Sequence, residues 1–132
     1  MKMHMNLATR DLDAGVAFYS TLLGAPPAKK LADYALFITE QPPLELALDL
    51  DGSAQPGGGQ HFGIVVESED EVNAQIARLE AAGYDTEVER EETCCYATQT
   101  KVWASDPDGR RWETYVVHAD TDIRDGEATC CA

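Results

Sequence analysis

The chain has 132 residues, enough for one sizeable hydrophobic core but not for two independent ones. Ten Lys plus Arg against 24 Asp plus Glu give a formal net charge of −14 at pH 7, a balance that repels phosphate backbones and argues against nucleic-acid binding. No apolar run approaches the roughly 20 residues needed to span a bilayer. The opening stretch MKMHMNLATRDLD has no apolar h-region and no cleavage site. A cytoplasmic protein with reduced thiols is therefore expected rather than a disulfide framework.

In chain order, a short alternating strand around His4 leads to Asp11, an N-cap for a helix whose apolar positions are Leu12, Val16, Tyr19 and Leu23, with Gly24 as its stop. Strand-like runs follow near residues 28–31, 34–40 and 44–50. The stretch DGSAQPGGGQ at residues 51–60 reads as a flexible joint. The sequence then starts again at His61. A second alternating strand precedes Ser68, which forms a capping box with Glu71. A helix with the stripe Val72, Ile76 and Leu79 runs on to Gly83. Strands are predicted near 84–89, 96–105 and 111–118, the last two joined by the tight turn DPDG at residues 106–109.

The pattern is βαβββ, used twice. The expected fold is α+β: two βαβββ modules whose curved mixed sheets enclose a metal site. One domain would cover residues 1–118, with module one at about 1–50, a linker at 51–59 and module two at about 60–118. Residues 119–132 lack periodicity and are expected to form a flexible tail. The joint permits the sheets to close within one chain or between two, so monomer and homodimer are both open.

Strand alternation sorts side chains by face. The bulky sets Met3, Met5 and Leu7, Leu44, Leu46 and Leu48, Phe62, Ile64 and Val66, and Trp112, Thr114 and Val116 can cover the helices. Phe18, Tyr19, Phe62 and Trp112 read as core. His4, Glu45, His61 and Glu113 are left on the other faces, at corresponding places in the two modules. Two imidazoles and one carboxylate with open positions suit a non-haem Fe(II) centre. Four ligands including both glutamates would suit a hydrolytic-type Ni, Co or Zn site that holds water.

The four cysteines form two adjacent pairs, Cys94–Cys95 and Cys130–Cys131. Read alone, an adjacent pair is a soft-ion clamp, a redox pair, or two small neighbours. Consecutive residues of a regular strand point to opposite faces, so a clamp at Cys94 and Cys95 needs a loop or bulge there. Cys130 and Cys131 either pre-capture a soft ion or are dispensable. His118 reads as an ordinary surface residue.

His4, the stretch NLATRDLDAGVAFYSTLLG, His61 and DPDGRRWETY resemble the vicinal oxygen chelate superfamily over residues 1–118. It includes glyoxalase I, extradiol dioxygenases and the fosfomycin- and bleomycin-resistance proteins. That resemblance implies His4, His61 and Glu113 as metal ligands. TCCYATQTKVWASDPDGRRWE, YSTLLGAPPAKKLADYALF and PPLELALDL resemble more narrowly the Fe(II)-dependent organoarsenical carbon–arsenic lyases and their cadmium-induced relatives. The narrower resemblance implies that Cys94 and Cys95 bind trivalent arsenic, that Tyr96 and Lys101 line the pocket, and that Fe(II) and O2 break the carbon–arsenic bond to release arsenite. No ligand is expected at Glu45. The competing expectations are a non-catalytic arsenic- or cadmium-binding resistance protein, and a glyoxalase-type isomerase in which Glu45 does ligate.

Overall fold

The computed structural model describes residues 1–55, 60–94, 97–120 and 122. Its elements run β1 (Met3–Thr9), α1 (Leu12–Leu23), β2 (Lys29–Lys30), β3 (Tyr34–Glu40), β4 (Pro43–Leu50), β5 (His61–Val65), α2 (Glu69–Ala81), β6 (Glu87–Cys94), β7 (Ala97–Ser105) and β8 (Arg111–Asp120). This is βαβββ twice, and the α+β class stands. No helix among the described residues is long and apolar enough to cross a membrane.

The strands form two four-stranded sheets, ordered β1-β4-β3-β2 and β5-β8-β7-β6. The first is mixed: β1 runs parallel to β4, while β3 pairs antiparallel with both β4 and β2. The expectation of curved sheets enclosing a metal site is corrected here. Both sheets are flat and open, each ending in two edge strands rather than closing round a centre. Apolar alternation reports which face a side chain takes, but it carries no information about curvature. Closure needs paired edges, and the edge strand β2 is only two residues long.

Two compact units are distinguished, Met1–Gln60 with Ser105–Arg111, and His61–Ala104 with Trp112–Ala132. In the first unit Asp11 caps α1 by accepting from the Ala14 N–H at 3.0 Å. Gly24 ends the helix in the left-handed region at φ 65°. The buried face of α1 is Leu12, Gly15, Phe18, Tyr19, Leu22 and Leu23, so Val16 stands beside it rather than at its centre. The helix lies on β3 and β4, and a methyl group at Gly15 would meet Leu48 Cδ1 at 3.2 Å. Phe18, Tyr19, Phe37, Leu46 and Leu48 are essentially inaccessible and form this unit's core.

The DPDG turn is tied into the first unit by its own carboxylates. Asp106 accepts from the Tyr19 hydroxyl at 2.6 Å and from the Arg110 guanidinium at 3.1 Å, and Arg110 reaches the Ala8 carbonyl at 2.7 Å. Asp108 accepts from the Arg10 N–H at 3.0 Å.

In the second unit the Ser68–Glu71 capping box is present as expected. Val72, Leu79, Val102, Trp112 and Val116 are buried, and Phe62 packs tilted against Trp112 at 5.1 Å. Residues 99–104 of β7 are buried on both faces. One of those faces carries the candidate site.

Candidate functional site

His4 lies on β1 directly opposite Glu45 on β4 in the parallel register. Its Nδ1 is 3.7 Å from Glu45 Oε2, with both side chains well exposed. Glu45 is thus the partner of His4 within the first unit.

His61 and Glu113 belong to the second unit, on the neighbouring strands β5 and β8. His61 starts β5 and packs edge-on against Trp103 at 5.2 Å. Two residues along, Gly63 shares the face of His61 by strand alternation. A methyl group built there would stand 3.0 Å from Tyr115 Cε1, 3.1 Å from Glu113 Cγ and 3.3 Å from Glu113 Oε1. The glycine therefore leaves open the volume beside the carboxylate.

Glu113 is 7% exposed, and its Oε2 accepts from Lys101 Nζ at 3.1 Å. Lys101, on β7, is 1% exposed, and its ammonium sits 5.3 Å from the ring centres of both Trp103 and Tyr115. Burial, and then the charge of Glu113, push the Tyr115 phenol above its ordinary value of 10.0. The result is a buried carboxylate and ammonium flanked by Trp103 and the half-buried Tyr115, with the exposed imidazole of His61 at the edge. Sequence reading placed Lys101 at a pocket without identifying its partner. Lys101 and Glu113 are twelve residues apart, and nothing in the local pattern of either strand announces that they pair.

The loop or bulge expected at Cys94 and Cys95 falls partly outside the described residues. Cys94 is the last residue of β6, and its backbone pairs with Ala97 of β7. Cys95 and Tyr96 lie outside the described residues, as do Cys130 and Cys131. Further back in β6 there is a β-bulge. The register shifts between Glu89 and Glu92, so that Arg90 and Glu91 together oppose Thr100. Glu91 takes φ 51°, and its N–H donates to Thr100 Oγ1 at 3.0 Å. That hydroxyl also lies 2.8 Å from His118 Nε2. His118 is exposed, and it braces the bulge.

By donor type, two imidazoles and a carboxylate fit Fe(II), and the space kept by Gly63 beside Glu113 Oε1 is consistent with a metal there. His4 stands in the other unit from His61 and Glu113. Among the described residues, no three His, Cys, Asp or Glu side chains stand together as a metal-binding group.

Residues 3–114 match the family model of the Glyoxalase/Bleomycin resistance protein/Dioxygenase superfamily. The cadmium-induced protein CadI of Mycobacterium tuberculosis is 44% identical over 140 residues, covering 98% of this chain and 91% of that protein. A trivalent organoarsenical cleaving enzyme of Thermomonospora curvata is 38% identical, covering 98% and 87%. Among solved structures, a glyoxalase/bleomycin resistance protein/dioxygenase from Alicyclobacillus acidocaldarius superposes with a TM-score of 0.72 at 19% identity, covering 89% of this chain and 92% of that one. The fosfomycin resistance protein FosX of Listeria monocytogenes gives 0.69 at 21%, covering 86% and 90%. At those identities the structural likeness speaks for the fold alone.

Proposed function

Because the chain belongs to the glyoxalase/bleomycin resistance protein/dioxygenase superfamily, with homology to cadmium-induced and organoarsenical-cleaving proteins, we propose that it detoxifies trivalent organoarsenicals. In this reading Cys94 and Cys95 hold a substrate such as methylarsenite. Its carbon–arsenic bond is cleaved with O2 as co-substrate, CH3As(OH)2 + O2 giving As(OH)3 (arsenite) and formaldehyde, with Fe(II) held by His4, His61 and Glu113. The observation that carries the reading is whole-length similarity to proteins that cleave trivalent organoarsenicals, in a chain that has an adjacent thiol pair and these donors.

Trivalent arsenic is soft, so thiolates suit it better than imidazole or carboxylate. A monosubstituted arsenical has two exchangeable hydroxyls. Two thiols replace both and release two waters, leaving the carbon–arsenic bond as the remaining substituent. Cys94 is the last residue of β6. Iron, when bound, would activate O2, while the electrons for its reduction would come from the methyl carbon of the substrate. The chain itself supplies a buried carboxylate, a glycine that keeps the space beside it, and the neighbouring rings of Trp103 and Tyr115. Lys101 and Tyr96 are the further pocket residues of this proposal.

A second reading is a non-catalytic resistance protein that binds arsenic or cadmium through the same thiols. It is favoured by the 44% identity to the cadmium-induced protein and by the absence, among the described residues, of a three-donor metal group. On what is directly observed, binding stands closer than catalysis. Both readings require the thiol clamp.

The clamp is tested by titrating reduced protein with methylarsenite in a Cys130→Ser/Cys131→Ser background, which removes the second pair. Adding Cys94→Ser or Cys95→Ser should weaken binding by roughly 10²–10⁴-fold, the gain from holding one atom with two linked ligands. Unchanged affinity would remove the clamp from both readings.

A further inference from the structure

The pairing of Lys101 with Glu113 has a consequence for how a metal would enter. A carboxylate that is 7% exposed needs a compensating cation, and Lys101 Nζ, 3.1 Å from Oε2, provides it. A divalent ion bound to the same carboxylate would bring a second positive centre against an ammonium whose residue is 1% exposed. Repulsion there is far stronger than in solvent. The lysine has an alternative seat, since its ammonium already stands 5.3 Å from the ring centres of Trp103 and Tyr115. Its stem is flexible, so the charge can move towards those ring faces without leaving the cluster.

We propose that Lys101 is the built-in counter-ion of Glu113 in the metal-free protein, and that an incoming metal must displace it. Lys101 thus stabilises the empty fold and weakens metal binding. It is a positioning residue that sets the threshold for loading. This inference rests on the reading of Glu113 as a metal ligand. It adds a competing internal cation to that reading.

The experiment is Mn(II) binding to reduced full-length protein, read from the loss of the free-ion paramagnetic resonance signal. Thermal unfolding in the presence of chelator is read alongside. Mn(II) prefers oxygen and nitrogen donors, so the four cysteines do not obscure the measurement. The first variant is Lys101→Gln, whose amide can still donate a hydrogen bond to Glu113. It should unfold at a lower temperature in chelator and bind Mn(II) at least about ten-fold more tightly than the parent. A second variant, Lys101→Met/Glu113→Gln, replaces both charges. It should recover stability in chelator and lose Mn(II) binding.

If the parent binds Mn(II) and Lys101→Gln binds it no more tightly, the counter-ion role is overturned while the ligand role of Glu113 stands. If neither protein binds Mn(II), or the double variant binds as the parent does, the ligand role falls and this inference falls with it.

Discussion

A methyl group at Gly63 would press within 3.1 Å of both Tyr115 and Glu113, closer than ordinary carbon contacts allow, so one of those side chains would have to move. Gly63→Ala should therefore cost about 1–3 kcal/mol in urea unfolding. It should also weaken metal binding by displacing the carboxylate. A variant with parental stability and parental metal affinity would show that the space beside Glu113 has no role. At this scale the sequence was informative about chemical type and silent about partners. Alternation was enough to put His61 and Glu113 on faces away from the bulky core residues. It could not pair Glu113 with Lys101, because lateral neighbours depend on the strand order β8-β7, which no local pattern encodes. Glu45 was set apart as an alternative ligand, and it stands opposite His4.

Among the elements, the helices were the most legible, because their caps are short-range chemistry. Asp11, Gly24 and the Ser68–Glu71 box all act where the sequence placed them. The bulge in β6 was not legible in place. It has no glycine, and Glu91 adopts a left-handed backbone that costs on the order of 1–2 kcal/mol in a non-glycine residue. The bond from its N–H to Thr100 offsets part of that cost, a tertiary contact that local sequence does not report. The DPDG stretch was read as a turn, and its buried charges were not anticipated. Burial alone would push the Asp108 carboxyl up. Hydrogen bonds from Thr9 and Arg10, with the charge of Arg110, outweigh it and hold Asp108 below its ordinary value of 3.8. A carboxylate depressed in the folded state contributes stability above its unfolded value. That stability is lost as pH falls through the folded value. Thermal stability should hold down to about pH 5 and drop below about pH 4. Asp108→Asn should be less stable than the parent at pH 7, with the difference shrinking in acid. A constant difference across that range would remove Asp108 from the acid response.

For the whole molecule, the duplicated βαβββ order was readable from the repeated His–strand–cap–helix–Gly pattern, and it places a histidine on the first strand and a glutamate on the last strand of each module. Sheet form was not readable, since apolar periodicity is the same in an open sheet and a curved one. The relatives fall on both sides of the functional question, with cadmium-induced proteins on one and organoarsenical-cleaving enzymes on the other, all similar over nearly the full chain. The thiols are common to both readings, so iron-dependent turnover separates them. The most direct measurement is arsenic speciation after reduced protein is loaded anaerobically with Fe(II), mixed with methylarsenite and then opened to air. The account predicts arsenite in catalytic excess over protein, lost in Cys94→Ser, Cys95→Ser and Glu113→Gln. Methylarsenite that stays bound and intact on fully iron-loaded protein would contradict cleavage and leave a protein that only binds the arsenical.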